Sequence, residues 1–349
     1  MSQKTETIEP SNMKTNETSQ PEIDVATALK TRRIKHTRIE QIMGELETLI
    51  YPGSQDSILL VCGPTGAGKT TLSRSMVATA LDSGRSQMQE NGGAIPAIYV
   101  EAPSSGESNF SWRLFYLEIL AQLGDDLSAP KMLYGVDETT GRAVRPKGMN
   151  GNSLAALRKA VERGLRERQV RFLVIDEAAH IIRQTRGSAR LEIQLDTLKS
   201  LVNQCGTQMV LIGSYDLYQL VSLSAQLARR THVLHFERYR EDRPEDVRAF
   251  ESCVVAFEKT LPNLWGGQLR PYTKGLLQNT LGCVGTLSGV LIRAAKLAEK
   301  EGSWSVDSLE RALLTEEQRN HILEEIIDGE TAVGPSFIRT MPKNKLVPA

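Results

Sequence analysis

The sequence lacks the features that mark secreted, metal-clustered or membrane-spanning proteins. Its 349 residues include only four cysteines (Cys62, Cys205, Cys253 and Cys283), which lie far apart and form no C-x-x-C pair. This spacing argues against a disulfide framework or a cysteine metal cluster and fits a reducing cytoplasm. No apolar run is long enough to span a bilayer, and the polar N-terminus is unlike a signal peptide.

An excess of charge of either sign is also missing. The 42 lysines and arginines balance 42 acidic residues, so the formal net charge is zero. Bulk charge therefore gives no argument for nucleic acid, and any such surface has to be a local patch. The composition is ordinary for a globular protein, and the length suggests one large domain or a core with a smaller appendage.

The most informative stretch is a glycine-rich loop between a predicted buried strand, residues 58–62, and a predicted helix, residues 70–81. It fills every position of the P-loop pattern G-x-x-x-x-G-K-[ST], and the flanking strand and helix argue against a chance match. Backbone N–H groups of such a loop cradle phosphate, Lys69 reaches the β- and γ-phosphates, and the Thr70 hydroxyl ligates Mg²⁺. The predicted ATP contacts are Gly63, Pro64, Thr65, Gly66, Ala67, Gly68, Lys69, Thr70 and Thr71.

A second apolar run, residues 171–175, ends in the acidic pair Asp176 and Glu177. Following a complete P-loop, this is the Walker B arrangement. Asp176 is predicted to hold Mg²⁺, mostly through water, and Glu177 to polarise the water that attacks the γ-phosphate. Ser214 follows a further predicted strand, residues 208–213, where its hydroxyl is a candidate γ-phosphate sensor. A plain turn serine is the alternative.

Strands and helices alternate over residues 26–242 and predict an α/β core, with a parallel sheet covered on both faces and the ligand at the carboxyl ends of its strands. Single helices are expected over residues 26–50 and 215–228. From residue 243 the pattern turns all-helical and predicts a small lid, residues 243–328. Residues 1–25 are expected to form a disordered N-terminal arm, and residues 329–349 a flexible C-terminal tail.

Basic residues outside the phosphate loop have two interpretations each. The cluster at residues 30–38 contacts nucleic-acid phosphates or the nucleotide base, or is a solvated face. The long loop at residues 125–151 and the basic segment at residues 183–190 face DNA, or are simply exposed surface. The candidates for DNA phosphate contact are Lys131, Arg145, Arg183, Arg186 and Arg190.

The P-loop core, the helical lid and the pair Arg229 and Arg230 ahead of the last core strand together resemble the AAA+ ATPases. The resemblance narrows to the TniB/TnsC group of transposition regulators and covers roughly residues 26–314. It rests on residues 33–42, on LVIDEAAHII at 173–182, on LARR at 227–230 leading into FERY at 236–239, on FESCVVAFEKTL at 250–261 and on GCVGTLSGVLIRAA at 282–295.

This resemblance implies an ATPase that uses Mg²⁺ and assembles with itself as rings or helical filaments on double-stranded DNA. Such proteins link a target-selection protein or RNA-guided complex to a DDE-type transposase in the bacterial cytoplasm, with no membrane partner. ATP would lie between subunits, where Arg229 or the favoured Arg230 acts on the neighbour's γ-phosphate as an arginine finger. Capping of a helix C-terminus is the alternative role of the pair.

One position departs from the AAA+ pattern. Many AAA+ proteins carry an arginine at the start of the third lid helix, but here the corresponding residues 285–289 contain none and the next is Arg293. The resemblance and this departure both suggest slow hydrolysis, with the nucleotide used as an assembly switch. The alternative functions are a helicase loader and a signalling NTPase switch that acts on protein partners, and duplex against single-strand preference separates the loader from a transposition regulator.

Overall fold

Five apolar segments form the central sheet, in which every described strand runs parallel to its neighbours. The computed structural model describes residues 25–51, 58–104, 106, 109–124, 135–136, 143–144, 153–185, 188–222 and 231–334. The sheet strands are β1 Ile58–Cys62, β2 Ala97–Glu101, β5 Phe172–Asp176, β6 Gln208–Gly213 and β7 Thr231–His235, in the order β2-β5-β6-β1-β7. In the predicted long loop, β3 Gly135–Val136 pairs antiparallel with β4 Ala143–Val144.

The strand order brings the predicted chemical residues to one edge of the sheet. Strand β6 lies between β1 and β5, with Cys62 opposite Gly213 and Ile175 opposite Leu211. Because all three strands run in the same direction, the residues that follow them lie side by side. The phosphate loop, the acidic pair and Ser214 therefore share this edge, as the sequence predicted.

Helices cover both faces of the sheet, which confirms the predicted α/β architecture. Successive residues of a strand point to opposite faces of the sheet and pack in two separate hydrophobic cores. Leu60 packs in one core with Phe115 and Leu198, and Val61 packs in the other with Leu72. The described helices of this part are α1 Val25–Thr31, α2 Thr37–Leu49, α3 Lys69–Ser83, α4 Arg85–Glu90, α5 Trp112–Gln122, α6 Leu154–Glu167, α7 Ala179–Arg183, α8 Ser188–Cys205 and α9 Gln219–Ser222.

The helices after the sheet pack around a core of their own. Trp265, Phe250 and Leu287 are buried in it, and they are joined by Leu29 from α1. The N-terminal helix α1 thus packs with the lid, although the sequence assigned it to the ATPase core. The lid helices are α10 Pro244–Glu258, α11 Pro262–Trp265, α12 Thr273–Asn279, α13 Val284–Glu301 and α14 Val306–Glu310.

Two predicted helices differ from the structure. The helix expected over residues 26–50 is interrupted between α1 and α2, because α1 packs on the lid and α2 packs on the sheet through Ile39, Ile42 and Leu46. The helix expected over residues 215–228 begins as a 3-10 turn, Tyr215–Tyr218, followed by α9, and residues 223–230 lie outside the described part.

The C-terminal end of the lid also differs from its prediction. A helix α15, Glu316–Val333, follows the lid and buries Ile326, Gly329 and Val333. The predicted flexible tail was to begin at residue 329, but the chain there continues the helix against the core. Of the predicted N-terminal arm, residues 1–25, only Val25 is described, and it begins α1; the rest of the arm and the rest of the tail, residues 335–349, lie outside the described residues.

The structure also bears on the cysteines and on membrane-spanning helices. The four cysteines are free thiols. In the described ranges no single helix is long and apolar enough to cross a membrane; Arg270–Asn279 and Val284–Glu301 meet the length and composition test only as a pair bent by 119°, and many of their apolar residues lie in the lid core.

Candidate nucleotide site

The glycine-rich loop connects β1 to α3 and is held from two sides. The Gly63 N–H donates to the carbonyl of Gly213 at the end of β6 (3.3 Å), and the Gly66 carbonyl accepts the N–H of Gly285 (2.6 Å) and of Thr286 (3.3 Å) on the lid. Gly66 has φ +79°, and a Cβ there would lie 2.3 Å from Thr286 Oγ1. Only glycine satisfies both the backbone and the close contact.

Lys69, the first residue of α3, is buried inside this loop. Its ammonium group donates to the carbonyl oxygens of Gly63 (3.0 Å) and Pro64 (2.8 Å). Burial lowers the pKa of Lys69 below its usual value, whereas the nearby carboxylates of Glu177, Asp176 and Glu325 act in the opposite direction. A cation held at the N-terminus of a helix, beneath a loop of backbone N–H groups, is suited to bind phosphate.

The acidic pair lies at the end of β5, beside the loop. Asp176 is 2% exposed, and its carboxylate accepts hydrogen bonds from the Glu177 N–H (3.0 Å) and the Tyr99 hydroxyl (3.2 Å). Burial, followed by the Asp176 charge, raises the pKa of Tyr99 to about 12. Tyr99, on β2 and under the Arg74 guanidinium, was not singled out from the sequence, because its partner comes from a strand 77 residues away.

Glu177 has a strained backbone conformation. Its φ of +49° is in the left-handed region, which a residue with a side chain adopts at a cost. The Ala178 N–H donates to the Ile212 carbonyl (3.0 Å) and ties this turn to β6. The turn therefore holds Glu177 at the edge where the phosphate loop lies.

Ser214 is buried at the end of β6 and is linked to a residue predicted to contact DNA. Its hydroxyl accepts from the Arg183 guanidinium (3.2 Å) and donates to Asp216 (3.3 Å), while Arg183 and Asp216 form an ion pair at 2.5 Å. Half of the Arg183 side chain stays exposed. This network joins Arg183 to the candidate sensor, and its contact with DNA stays a prediction.

A buried histidine lies against the phosphate loop, whereas the sequence had placed it only within the basic cluster at residues 30–38. His36 is 6% exposed; its Nδ1 lies 2.9 Å from the Tyr239 hydroxyl, and its Nε2, buried without a partner, faces Gly68. The same Tyr239 hydroxyl also accepts the Arg38 N–H (3.3 Å). Burial, then the Arg38 charge, lowers the pKa of His36 to about 4, so the imidazole is neutral at physiological pH.

The position of the missing lid arginine is taken by a backbone contact. The first turn of α13 contacts Gly66 through the N–H groups of Gly285 and Thr286. Arg293, the first arginine of this helix, donates instead to the Ala312 carbonyl (3.0 and 2.9 Å) within the lid. It is thereby committed to a lid carbonyl.

Several predicted residues cannot be located in this arrangement. Arg229 and Arg230, the arginine-finger candidates, and Lys131, Arg145 and Arg186 all lie outside the described residues, as does the side chain of Arg190. Their roles stay predictions.

The residues present fit ATP and Mg²⁺. The loop offers backbone N–H groups and a buried ammonium for phosphate, and the exposed Thr70 with Asp176 offers the oxygen ligands that Mg²⁺ prefers. Across the described part of the chain, no group of three or more His, Cys, Asp or Glu side chains could hold a metal ion. The donors thus suit an ion whose coordination is completed by phosphate oxygens and water.

Comparison with known proteins supports the same fold. A family model described as an AAA domain matches residues 52–221. No curated protein matches the sequence. The ORC2 protein of Aeropyrum pernix, solved as ADPNP-ADP complexes, is similar with a TM-score of 0.51 and 15% identity over 80% of this chain and 67% of that one.

Two further solved structures are less similar. The Walker-type ATPase paby2304 of Pyrococcus abyssi has a TM-score of 0.48 and 14% identity, over 88% of this chain and 79% of that one. Cdc6p of Pyrobaculum aerophilum has a TM-score of 0.47 and 15% identity, over 79% and 66%. At these TM-scores neither adds to the argument, and at 15% identity the ORC2 likeness concerns the fold alone. From its sheet order, its two Walker motifs and the AAA domain at residues 52–221, this chain has the AAA+ P-loop NTPase fold.

Proposed function

We propose that this protein is an ATPase that assembles on double-stranded DNA and links a target-selection protein or RNA-guided complex to a DDE-type transposase. The observation that carries the ATPase part is the meeting of Lys69, Asp176, Glu177 and Ser214 at one edge of the sheet. The transposition part is supported by the resemblance of residues 26–314 to the TniB/TnsC group. A location in the bacterial cytoplasm belongs to the proposal.

Each site residue has a defined task in the hydrolysis. Lys69 exchanges the Gly63 and Pro64 carbonyls for oxygens of the β- and γ-phosphates. Thr70 and Asp176 would hold Mg²⁺, which would supply positive charge to the phosphate oxygens. The Glu177 carboxylate accepts a proton from water as the water oxygen bonds to the γ-phosphorus and the bond to the ADP oxygen breaks. The Ser214 hydroxyl, oriented by Arg183 and Asp216, senses whether a γ-phosphate is present.

Assembly follows from nucleotide binding at the subunit interface. ATP between two protomers orders the interface, and an arginine at residue 229 or 230 compensates the charge on the neighbour's γ-phosphate. The ordered oligomer presents basic residues to the DNA backbone, so its affinity falls steeply with salt and shows little sequence preference. Hydrolysis shifts the population back to separate subunits.

Electron microscopy of the purified full chain on duplex DNA tests this function. We expect rings or filaments with ATP or a non-hydrolysable analogue, and their loss with ADP. Lys69→Ala should bind no ATP and form none, whereas Glu177→Gln should bind ATP, fail to hydrolyse it and form longer-lived oligomers. A protein that stays monomeric and ignores DNA in every nucleotide state would favour the signalling switch, and preference for single strands would favour the helicase loader.

A further inference from the structure

We propose that helix α15 is an acidic strap across the phosphate end of the nucleotide site, and that its Glu325 opposes the γ-phosphate, so that ATP binding and docking of the strap compete. This makes Glu325 a residue that discriminates ATP from ADP. The inference rests on the proposed nucleotide binding and concerns the same site.

The strap touches the phosphate loop directly. The Thr65 hydroxyl, in the middle of the loop, donates to the Glu325 carboxylate at 3.4 Å. The Glu325 charge also acts on the buried Lys69 ammonium, together with those of Glu177 and Asp176. Lys69 is the side chain that a P-loop directs to the β- and γ-phosphates. The Glu325 carboxylate therefore interacts electrostatically with Lys69, the cation that would bind the γ-phosphate.

The strap has a specific seat on the core, so the Glu325 contact is not a chance approach of a loose helix. Gly329 packs on the ring of Tyr215, where an added Cβ would lie 2.0 Å from Cδ2. Glu330 forms a partly buried ion pair with Arg238 at 2.9 Å, and Val333 is fully buried. Tyr215 directly follows the candidate sensor Ser214, so the strap rests on the turn that ends β6.

The charge of this region is unfavourable for an added phosphate. The strap contains six acidic residues and one arginine, Arg319. A cavity of about 360 Å³ between strap and core is lined by Ser214 together with Asp216, Glu325 and Asp328. A γ-phosphate brought to Thr65 and Lys69 adds negative charge beside these carboxylates, and like charges at short range repel each other even at exposed positions such as Thr65 and Glu325, where water weakens the repulsion.

The consequence is a difference between the two nucleotides. ADP has no γ-phosphate and leaves the contact between Glu325 and Thr65 in place, whereas ATP repels Glu325 and loosens the strap. Because coupling between two binding events is reciprocal, a docked strap weakens ATP binding by the factor by which ATP weakens docking. Release of α15 by ATP would expose Tyr215, Tyr218 and Arg238 of the core.

Nucleotide titration of matched variants tests the role of the charge. Glu325→Gln keeps the shape of the side chain and removes its charge, and we expect its affinity for a fluorescent ATP analogue to rise about fivefold or more, with that for the ADP analogue unchanged. Glu324→Gln, an exposed neighbour on the same helix, is the control and should behave as wild type. Glu330→Gln, which loosens the strap at Arg238, should also raise the affinity for ATP.

Hydrogen exchange of the wild-type protein gives an independent readout. Peptides from residues 316–333 should exchange faster with a non-hydrolysable ATP analogue than with ADP. If wild type and Glu325→Gln bind the ATP analogue with equal affinity, or if residues 316–333 exchange equally with both nucleotides, the strap proposal is wrong and the ATPase proposal stays intact. A wild-type protein that binds neither nucleotide would instead overturn the proposed function.

Discussion

At the scale of single residues, neighbours from distant parts of the chain tune the site. Asp176 is held by Tyr99 from another strand, and Ser214 is held by Arg183 and Asp216. His36 lies against Gly68 of the phosphate loop and is held there by the Tyr239 hydroxyl. The motif residues supply the chemistry, and these neighbours fix their position.

His36 gives a prediction about pH. Its pKa is lowered to about 4 in the folded protein, against about 6.5 when unfolded. Between these values the unfolded chain binds the extra proton, so the stabilising contribution is complete above about pH 6.5 and is lost as the pH falls towards 4. His36→Gln has no imidazole and therefore does not lose stability in this way. The difference in the free energy of unfolding between wild type and His36→Gln should therefore shrink by roughly 2 kcal/mol as the pH falls from about 6.5 to 5.

Urea unfolding of both proteins at several pH values measures this gap. His321→Gln, which removes an exposed histidine, is the control and should follow the wild-type curve. Parallel curves for wild type and His36→Gln would show that the buried imidazole takes up its proton in the folded state as readily as in the unfolded one.

At the scale of elements, the lid is joined to the phosphate loop and to α2. The first turn of α13 contacts Gly66, and Arg38 of α2 donates to both carboxylate oxygens of Asp246 on α10 at 2.8 and 2.9 Å. The side chains of this pair are 15% and 5% exposed. A largely buried ion pair, in which one guanidinium nitrogen contacts both carboxylate oxygens, therefore connects the element ahead of the phosphate loop to the lid.

Removal of one partner tests this connection. Asp246→Ala removes the more buried of the two carboxylates that pair with Arg38, Glu237 at 3.4 Å being the other, and should lower the free energy of unfolding by roughly 2 kcal/mol. Asp82→Ala, which breaks the exposed pair with Arg85 at 2.7 Å, should cost less than about 1 kcal/mol. Chemical denaturation of the two variants compares them directly, and equal costs would mean that the Arg38 pair does not hold the lid.

At the scale of the whole molecule, the proposed function assigns one catalytic role to a second copy of the chain. The phosphate loop and the acidic pair lie within one chain, but the proposed arginine finger acts across a subunit interface. Simultaneous change of Arg229 and Arg230 to alanine should leave nucleotide affinity intact and prevent ATP-driven assembly. Titration with a fluorescent nucleotide and light scattering on duplex DNA separate the two effects, and normal assembly would locate the finger elsewhere.

The sequence alone was sufficient to identify motifs whose geometry depends only on neighbouring residues. The apolar runs at Ile58–Cys62 and Gln208–Gly213 predicted both strands to the residue, and the P-loop and acidic pair predicted the edge at which they meet. These signals are local, because a buried parallel strand is a continuous apolar run and a phosphate loop needs glycines at set positions. The lid was likewise evident from helical periodicity.

Only the tertiary structure decided which distant residues complete the site. His36 belonged to a basic cluster with two open interpretations, and its burial depends on Tyr239, 203 positions away. The division of residues 26–50 follows from α1 packing on the lid while α2 packs on the sheet. The sequence assigned Glu325 to the end of the lid and Gly329 to a tail. It could not do otherwise, because an acidic helix that is exposed to solvent has the same local pattern as an acidic helix that packs on Tyr215. Contacts between residues far apart in the chain have no local signature, so packing alone could reveal them.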